Sequence, residues 1–489
     1  MRTSHSHPLI VAAVQAAPGY GRVGITFCPG KQQMSGMTGP WQRDLCLDVG
    51  AIAEFGAAAV VTLIEDHEFA MLRVEGLGAE VVRQHMAWFH LPIADMDIPG
   101  REFEEQWRAV GPGLRARLRD GFNVVVHCMG GLGRAGTIAA RLLIELGMAP
   151  SEAISRVREV RPGAIQTREQ VRYVQQLSTV DDPAPSQDTN AARDRARGAL
   201  LGLAIGDAIG TTLEFKTRDS YPALTDVVGG GPFGLEAGQW TDDTAMALAL
   251  GDSLATCGAF DQRDLMDRFV AWGRAGAYSC TGTCFDIGIT TSQALTRYEG
   301  TGDPFAGSLD PATAGNGSLM RLAPVALRYW RDPDKLRQVA IDQSRTTHGA
   351  PEALSACAAY AQMLADGIAG ARRDVVLGSV SDRCVGAVAK ILQGSWRGKP
   401  RSEVRSSGYV VHSLEAALWS VGRTGSFAEA VLTAANLGDD ADTTAAITGQ
   451  LAGALCGASG IPAEWLAKLA WRERIAGIAD KLFDRSMDQ

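Results

Sequence analysis

Cysteines are few in this chain, and their positions follow no pattern. The 489 residues include nine, an odd number, without the paired spacing of a zinc site or of a disulfide framework. Long apolar runs are also missing, since the uncharged stretch 443–463 contains Gln450 and Pro462 and is better explained as a helix inside a folded domain. The first eight residues lack a basic segment followed by an apolar core. These absences predict no signal peptide, no membrane span and a reducing, cytoplasmic environment.

Basic charge is not in excess either. Lys and Arg number 47 against 55 Asp and Glu, which gives a formal net charge of −8. A mildly acidic chain lacks the positive surface of dedicated nucleic-acid-binding proteins, so nucleic acid is not an expected partner. Hydrophobic residues at 46% and charged residues at 21% are ordinary values for a folded protein, and they exclude a disordered chain or a coiled coil.

One change in composition divides the chain. The segment 178–192, STVDDPAPSQDTNAA, has two prolines, three aspartates and no apolar period, which is typical of an exposed linker. We therefore predict a first domain over 1–178, a linker over 179–192 and a second domain over 193–489.

The two predicted domains differ in fold class. In the first, strand-like runs at 23–27, 58–63 and 123–126 alternate with helical runs at 41–55 and 103–118. This alternation predicts an α/β domain with a central sheet flanked by helices. The second has almost no strand signal and many Ala, Leu and Gly residues at helical spacing, as in 245–255, 352–365 and 443–456. It is predicted to be a larger all-α domain.

A thiol stands in a glycine-rich loop of the first domain. The run 124–137, VVVHCMGGLGRAGT, is predicted to form a strand, a loop and the start of a helix. Successive N–H groups of such a loop bind a phosphate at the helix N-terminus and lower the pKa of the thiol, which favours Cys128 as a nucleophile. Arg134 adds a planar, bidentate phosphate ligand. The predicted phosphate site consists of Met129, Gly130, Gly131, Leu132, Gly133 and Arg134.

This run, together with LIEDHEF (63–69) and HLPIADMDIP (90–99), resembles the Cys-x5-Arg dual-specificity and tyrosine phosphatases, and most of all the cyclin-dependent kinase-associated type. The resemblance implies phosphomonoester hydrolysis through a phosphocysteine intermediate, without a cofactor. It implies Asp95 as the general acid, with Asp97 as the alternative. Gln166 is a candidate for positioning water, and Gln170 belongs to the same matching segment.

One residue departs from the phosphatase pattern. Members of the family carry Ser or Thr after the loop arginine, where the hydroxyl helps the thiolate to leave, but this chain has Ala135. Either Thr137 substitutes for that hydroxyl or the phosphocysteine is hydrolysed slowly. His127 is expected to support the loop rather than to act as a catalyst.

Two acidic clusters precede helices in the second domain. They lie in GQWTDDT at 238–244 and in GDDADTT at 438–444. Helix capping needs one side chain, whereas these starts carry two or three carboxylates, whose mutual repulsion calls for a cation. Oxygen ligands without His or Cys favour Mg²⁺ or Mn²⁺, and we expect two ions.

These clusters, together with RGALLGLAIGDAIGTTLEF (197–215) and GNGSLMRLAPVAL (315–327), resemble the ADP-ribosylglycohydrolase family. The resemblance implies removal of ADP-ribose from a modified side chain. It implies the metal ligands Thr241, Asp242, Asp243, Asp440, Asp442 and Thr443. Of the acids, Asp243 or Asp242 is expected to position the attacking water.

Further candidates in the second domain leave two interpretations open. Glu214 is either a ligand or acid of the site or a surface salt-bridge partner. Asn316, Gly317 and Ser318 form either a nest for substrate or a plain turn. His348 lines the cleft or simply ends a helix.

The sequence thus predicts a bifunctional hydrolase. One domain would release ADP-ribose, most readily from arginine, on a protein or a small conjugate, and the other would remove phosphate from a phosphoprotein or a small phosphoester. The alternative is a binding protein that reads ADP-ribose and docks phosphoproteins, with one or both domains catalytically weak.

Overall fold

The computed structural model describes residues 1–34, 39–378 and 384–487. The described residues form two compact units. The first consists of residues 1–183 with 397–400 and 422–425, and the second of the rest. The expected linker has no helix or strand up to residue 188, and the next helix begins at Thr189, so the last residues of that segment are helical.

The first unit is built on a five-stranded sheet in the order β1-β2-β7-β5-β6, in which only β1 is antiparallel to its neighbour. Its strands are β1 (Ala12–Gln15), β2 (Arg22–Phe27), β5 (Ala57–Thr62), β6 (Ala87–His90) and β7 (Asn123–Cys128). A separate ribbon pairs β3 (Gln32–Gln33) with β4 (Trp41–Gln42). Strand β5, which lies between β7 and β6, is buried throughout, as expected for a parallel sheet covered on both faces.

Helices cover both faces of this sheet. They are α1 (Leu45–Glu54), α2 (Asp66–Leu72), α3 (Leu77–Arg83), α4 (Arg101–Arg119), α5 (Gly133–Glu145), α6 (Pro150–Val160) and α7 (Arg168–Gln175). One apolar core lies under α1, α2 and α3 and another under α4 to α7. The helix expected over 41–55 begins only at Leu45, because residues 41–42 form β4 and Asp44 caps the helix by accepting from the Leu47 N–H.

The second unit is helical, and no β-strand occurs among its described residues. Its helices are α8 (Thr189–Gly210), α9 (Asp242–Cys257), α10 (Gln262–Ala275), α11 (Ile289–Thr301), α12 (Ala323–Tyr329), α13 (Pro333–Arg345), α14 (Pro351–Ala369), α15 (Arg373–Leu377), α16 (Gly386–Leu392), α17 (Val410–Arg423), α18 (Phe427–Ala435), α19 (Ala441–Cys456), α20 (Ala463–Lys468) and α21 (Arg472–Met487). Within the described ranges, none of the helices combines the length and the apolar character that crossing a bilayer requires. Both predicted fold classes are confirmed.

Helices α8 and α19 pack backbone against backbone at the centre of the second unit. A Cβ atom placed on Gly449 of α19 would clash with the carbonyl oxygen of Gly202 on α8, so only glycine permits this approach. Helix α8 carries Asp207, and Asp440 directly precedes α19. The close approach therefore brings carboxylates from distant parts of the sequence together.

Candidate active sites

The glycine-rich loop 129–134, called the thiol loop below, follows Cys128 at the carboxyl end of β7, the middle strand of the sheet. The Gly131 N–H donates to the Sγ atom of Cys128 at 3.2 Å. Arg161 donates to the carbonyl oxygens of Gly131 at 2.9 Å and of Gly130 at 3.2 Å. Because C=O and N–H point in opposite directions across a peptide plane, holding the Gly130 carbonyl turns the Gly131 N–H toward the sulfur. The loop thus presents the Gly131 N–H to Cys128, and its binding of a phosphate stays a prediction.

Arg134 is buried beside this loop and is held by an acid. Its guanidinium donates to both oxygens of Glu68, at 2.5 and 2.9 Å, and to the carbonyl oxygen of Ile93 at 3.0 Å. Burial lowers the pKa of Arg134, but the hydrogen bonds to Glu68, together with the negative charges of Cys128, Glu68 and Asp95, outweigh it and raise that pKa above the ordinary value. Its buried Nε atom has no partner among the described residues, which leaves one charged donor for an oxyanion.

The two candidate acids of the loop after β6 differ in their partners. An Asp95 oxygen lies 3.0 Å from a guanidinium nitrogen of Arg134, and the Asp95 side chain is 61% exposed. Asp97 instead accepts from the Ile98 N–H at 2.8 Å, and its carbonyl oxygen accepts from the Gln170 side chain at 3.0 Å. The structure therefore brings Asp95, and not the Asp97 carboxylate, to the arginine, while Gln170 braces the segment between them.

Other residues around the loop have structural partners. The Gln166 side-chain oxygen lies against Gly133, at the start of α5. The Thr137 hydroxyl donates to the Gly133 carbonyl oxygen at 2.8 Å, so it is engaged within the helix. His127 is fully buried, its Nε2 pairs with the Thr62 hydroxyl at 2.8 Å, and burial lowers its pKa to about 3. A neutral His127 thus joins β7 to β5, and its expected support of the loop stays a prediction.

Sequence reasoning missed three charged residues of this site. Glu68 holds Arg134, Arg161 holds the loop carbonyls, and Lys31 donates to the Met129 carbonyl oxygen at 3.2 Å. Glu68 lies inside the LIEDHEF segment, so a signal for it existed. Arg161 begins the run RPGAIQTREQ (161–170) that holds Gln166 and Gln170, so it had a signal too, whereas Lys31 stands in no recognisable motif.

A cavity of about 870 Å³ in the second unit gathers most of the acidic residues expected there. The predicted residues that line it are Glu214, Asp242, Asn316, Gly317, His348, Asp440, Asp442 and Thr443. Thr241 and Asp243 are buried without being part of the lining. Ser318 is also fully buried, and its hydroxyl bonds to Ser344 at 2.8 Å. Ser318 therefore supports the turn from behind instead of facing the cavity.

The carboxylates form two overlapping groups around Asp442. Asp207, Asp243 and Asp442 each place an oxygen within 4.8 Å of the others, and so do Glu214, Asp440 and Asp442. The buried Oδ1 atom of Asp243 has no partner in the described part of the chain. An unpaired buried carboxylate oxygen among further carboxylates fits a hard divalent cation.

Burial raises the pKa of the carboxyl groups around Asp442, and the charge of Asp442 raises each of them further. The pKa reaches about 7 for Asp207 and Asp440 and about 12 for Glu214, and it rises well above the ordinary value for Asp242 and Asp243. Such crowding favours proton or cation binding at this site, because either one relieves the repulsion.

Asp207, which sequence reasoning missed, fixes the first acidic cluster. One of its oxygens accepts from the N–H and hydroxyl of Thr241, at 2.9 and 3.0 Å. The other accepts from the N–H and hydroxyl of Thr244, at 3.0 and 2.6 Å. Asp207 therefore caps α9 and sets the position of Thr241. The sequence held one signal for Asp207, because it is the only charged residue in the run 198–213.

Asp286 is the second missed acid. It lines the cavity, and its φ of 58° places it in the left-handed region that few non-glycine residues adopt. Burial, followed by the charge of Asp442, raises its pKa to about 11. It lies in a loop that showed no motif.

Glu214 belongs to the site rather than to the surface. It is 3% exposed, and its Oε2 accepts from the N–H groups of Ala441 at 2.7 Å and of Asp442 at 3.3 Å. These are the first N–H groups of α19, whose positive end favours a carboxylate. The salt-bridge alternative for Glu214 is therefore wrong.

The turn at 315–318 shapes one wall of the cavity. Asn316 donates to Asp440 at 2.6 Å and to the Ser413 hydroxyl at 2.8 Å, which orients the Asp440 carboxylate. Gly317 lies against the ring of His348, and a Cβ atom at Gly317 would crowd that ring. Burial lowers the pKa of His348 to about 3, so a neutral imidazole lines the cavity.

Comparison with known proteins gives two family matches. Residues 188–489 match the model described as ADP-ribosylglycohydrolase. Residues 31–174 match the model described as Swiss Army Knife protein, DSP-PTPase phosphatase domain. Both resemblances found in the sequence are confirmed.

Individual relatives agree with this division. The chain is 48% identical over 295 residues to ADP-ribosylarginine hydrolase Tri1 of Pseudomonas putida, covering 60% of this chain and 79% of that protein. It is 32% identical over 139 residues to protein tyrosine phosphatase type IVA 3 of Bos taurus, covering 28% of this chain and 73% of that protein. A solved structure titled ADP-ribosylglycohydrolase-related protein complex aligns with a TM-score of 0.54 at 41% identity, covering 60% of this chain and 99% of that one.

Proposed function

Because the chain belongs to the ADP-ribosylglycohydrolase family over residues 188–489 and carries a dual-specificity phosphatase domain over residues 31–174, we propose that it combines a metal-dependent ADP-ribosylarginine hydrolase with a cysteine-dependent phosphatase. Relatives described as ADP-ribosylarginine hydrolases, at 48% and 46% identity, support arginine as the linkage. The observation that carries the first activity is the pair of carboxylate groups that share Asp442.

In the proposal, two Mg²⁺ or Mn²⁺ ions are held by the side chains that line or underlie this part of the cavity. The ligands are Thr241, Asp242, Asp243, Asp440, Asp442 and Thr443. When bound, such ions polarise ribose hydroxyls and supply a nucleophilic water at neutral pH. Asp243 or Asp242 orients that water toward the anomeric carbon, and Asn316 holds Asp440 in place.

The charge of the cavity supports arginine as the group released. Glu214 and Asp286 line it together with Asp242, Asp440 and Asp442. Carboxylates accept the forked N–H donors of a guanidinium in a bidentate manner. In the proposal, Glu214 or Asp286, both cavity acids outside the ligand set, supplies a proton to the departing guanidine nitrogen.

In the phosphatase domain, the proposal assigns the attack to Cys128. Its thiolate forms a bond to phosphorus while the ester P–O bond breaks, and Asp95 donates a proton to the leaving oxygen. The loop N–H groups and Arg134 hold the phosphoryl oxygens. Water then hydrolyses the phosphocysteine and releases phosphate. The lack of a hydroxyl at Ala135, and the engaged hydroxyl of Thr137, make this second step the slow one.

Two variants of the full chain separate catalysis from binding. Cys128→Ser is expected to abolish phosphate release from p-nitrophenyl phosphate and to leave release of ADP-ribose from an ADP-ribosylated arginine peptide unchanged. Asp442→Asn is expected to do the reverse. If the wild-type chain binds ADP-ribose and phosphopeptides but turns over neither substrate, the alternative of a binding protein is correct.

The proposed compartment is the cytoplasm. All nine cysteines lie in the described part of the chain, and all are free thiols. A reducing environment keeps a nucleophilic Cys128 in the thiol form.

A further inference from the structure

The phosphatase domain has a cavity of its own, built by α6, α7 and the segment between them. It measures about 290 Å³ and is lined by Arg158, Gln166, Thr167, Arg168, Val171 and Arg172. Three of these residues are arginines, and none carries a carboxylate. The cavity is therefore strongly cationic, in a chain whose overall charge is negative.

The arginines of this cavity are not neutralised by strong ion pairs. Arg158 donates to the carbonyl oxygens of Ala164 and Ile165, at 3.1 and 3.0 Å, so its guanidinium is held in place by uncharged groups. Arg172 lies 3.8 Å from Glu169, and both side chains are mostly exposed, which makes that pair weak. Arg168 has no hydrogen-bond or ion-pair partner within the described residues. Their positive charge is thus available to a ligand.

Gln166 connects this cavity with the thiol loop. Its side chain lines the cavity, and its Oε1 atom lies against Gly133, which belongs to the loop and begins α5. Gln166 therefore borders both the glycine-rich loop that follows Cys128 and the arginine cavity, so the two sites are neighbours. The planar guanidinium group of arginine donates paired hydrogen bonds to phosphate oxygens, and it binds them more strongly than it binds an apolar or neutral group.

We propose that this arginine cavity is a second anion site, and that the phosphatase substrate is a small phosphomonoester that carries a further phosphate or diphosphate group. The inference rests on the proposed phosphatase function and names its substrate class. The volume of about 290 Å³ admits a phosphate or diphosphate, but it is at the lower limit of the pockets that hold whole drug-sized ligands. The ester phosphate occupies the loop at Cys128 while the second group binds Arg158, Arg168 and Arg172.

The test compares glucose 1,6-bisphosphate with its two monophosphates and with p-nitrophenyl phosphate, all hydrolysed by the full chain. None of these compounds contains ADP-ribose, so the second unit does not contribute. Wild type is expected to prefer the bisphosphate by about tenfold in kcat/KM, mainly through KM, because charged hydrogen bonds are strong. The double variant Arg168→Ala/Arg172→Ala is expected to lose this preference and to keep its rate on p-nitrophenyl phosphate.

The matched control is Arg101→Ala/Arg156→Ala, which removes two positive charges from exposed i,i+4 ion pairs of the same domain. It is expected to keep the preference. A preference that survives in Arg168→Ala/Arg172→Ala overturns the inference, and so does an equal loss on p-nitrophenyl phosphate, which marks a structural role. A loss confined to an acidic phosphotyrosine peptide also overturns it, because the anion would then be a peptide carboxylate.

A binding measurement separates this inference from the proposed function. If wild type does not hydrolyse p-nitrophenyl phosphate, the proposed phosphatase activity is wrong. Calorimetry with glucose 1,6-bisphosphate and the Cys128→Ser chain then decides the anion site alone. About tenfold weaker binding after Arg168→Ala/Arg172→Ala supports the site, and unchanged binding refutes it.

Discussion

Asp95 and Asp97 lie in one short loop of the phosphatase domain, and they differ in the groups that their side chains contact. Asp95 reaches Arg134, which ends the phosphate loop, whereas the Asp97 side chain bonds to its own neighbour Ile98. A general acid has to stand beside the phosphate that it serves. The geometry therefore favours Asp95 where the sequence left both acids open.

Replacing Asp95 with Asn is expected to lower kcat/KM for a phosphotyrosine peptide by about 100-fold, because general acid catalysis contributes that much or more. The loss on p-nitrophenyl phosphate is expected to be smaller, since p-nitrophenolate leaves without a proton. Asp97→Asn serves as the matched control and is expected to stay within about threefold of wild type. Steady-state kinetics with both substrates decide between them, and a larger loss in Asp97→Asn would contradict this assignment.

Several residues that stand in a recognisable run were predictable, whereas two acids that support the sites from elsewhere in the fold, Glu68 and Asp207, were missed. Cys128 and Arg134 share a glycine-rich loop between a strand and a helix, and that local context carried the signal. Glu68 reaches Arg134 from α2, and Asp207 reaches Thr241 from the last turn of α8. A sequence shows a lone acid in such places without showing what it contacts.

At the scale of elements, the packing of α8 on α19 explains how the metal-ligand candidates meet. The two helices approach so closely that Gly449 has no room for a side chain next to Gly202. The runs of small residues predicted close helices, but they did not show which pair would meet. Nor did they show that the acids would lie where these helices end, since that depends on the relative shift of the two helices.

Gly449→Ala is expected to destabilise the second unit by about 1–3 kcal/mol or more, because the new methyl group forces the two backbones apart. Its control is Gly477→Ala in α21, where a Cβ atom meets nothing within 4 Å. That control is expected to be neutral or to stabilise by about 0.5–1 kcal/mol through helix propensity. Differential scanning calorimetry measures both. Equal transition temperatures for the two variants would show that α8 and α19 are not packed this way.

At the scale of the whole molecule, the carboxylate cluster makes stability depend on pH and on a cation. The pKa values of Asp207 and Asp440 rise from an ordinary value of 3.8 to about 7 in the fold. The metal-free fold therefore binds protons more tightly at these groups than the unfolded chain does. It follows that its free energy of unfolding falls as the pH rises from about 4 to about 7.

In the presence of a chelator, the thermal unfolding temperature of the second unit is expected to fall as the pH rises from 5 to 7.5. With Mn²⁺ at about 100 times its dissociation constant, the unit is expected to gain about 2.7 kcal/mol at the higher pH, which offsets the fall. Asp442→Asn is expected to remove this response to the cation. Calorimetric scans at the two pH values provide the measurement, and identical scans with and without Mn²⁺ would mean that the cluster holds no ion.

The two proposed chemistries share no group, so inhibitors are expected to separate them within one chain. A chelator is expected to stop release of ADP-ribose and to spare phosphate release. Vanadate or thiol alkylation at Cys128 is expected to do the opposite. Parallel assays on one preparation measure both rates. If the chelator stopped both, the assignment of a metal-free thiol mechanism would be wrong.

The most direct test of the central claim is release of free ADP-ribose from an arginine-ADP-ribosylated protein, measured with Mg²⁺ and again after chelation. Rapid release with Mg²⁺, loss of release in chelator and no release by Asp442→Asn are the predicted results. Release that continues unchanged in chelator, or in Asp442→Asn, would contradict a mechanism built on the carboxylates around Asp442.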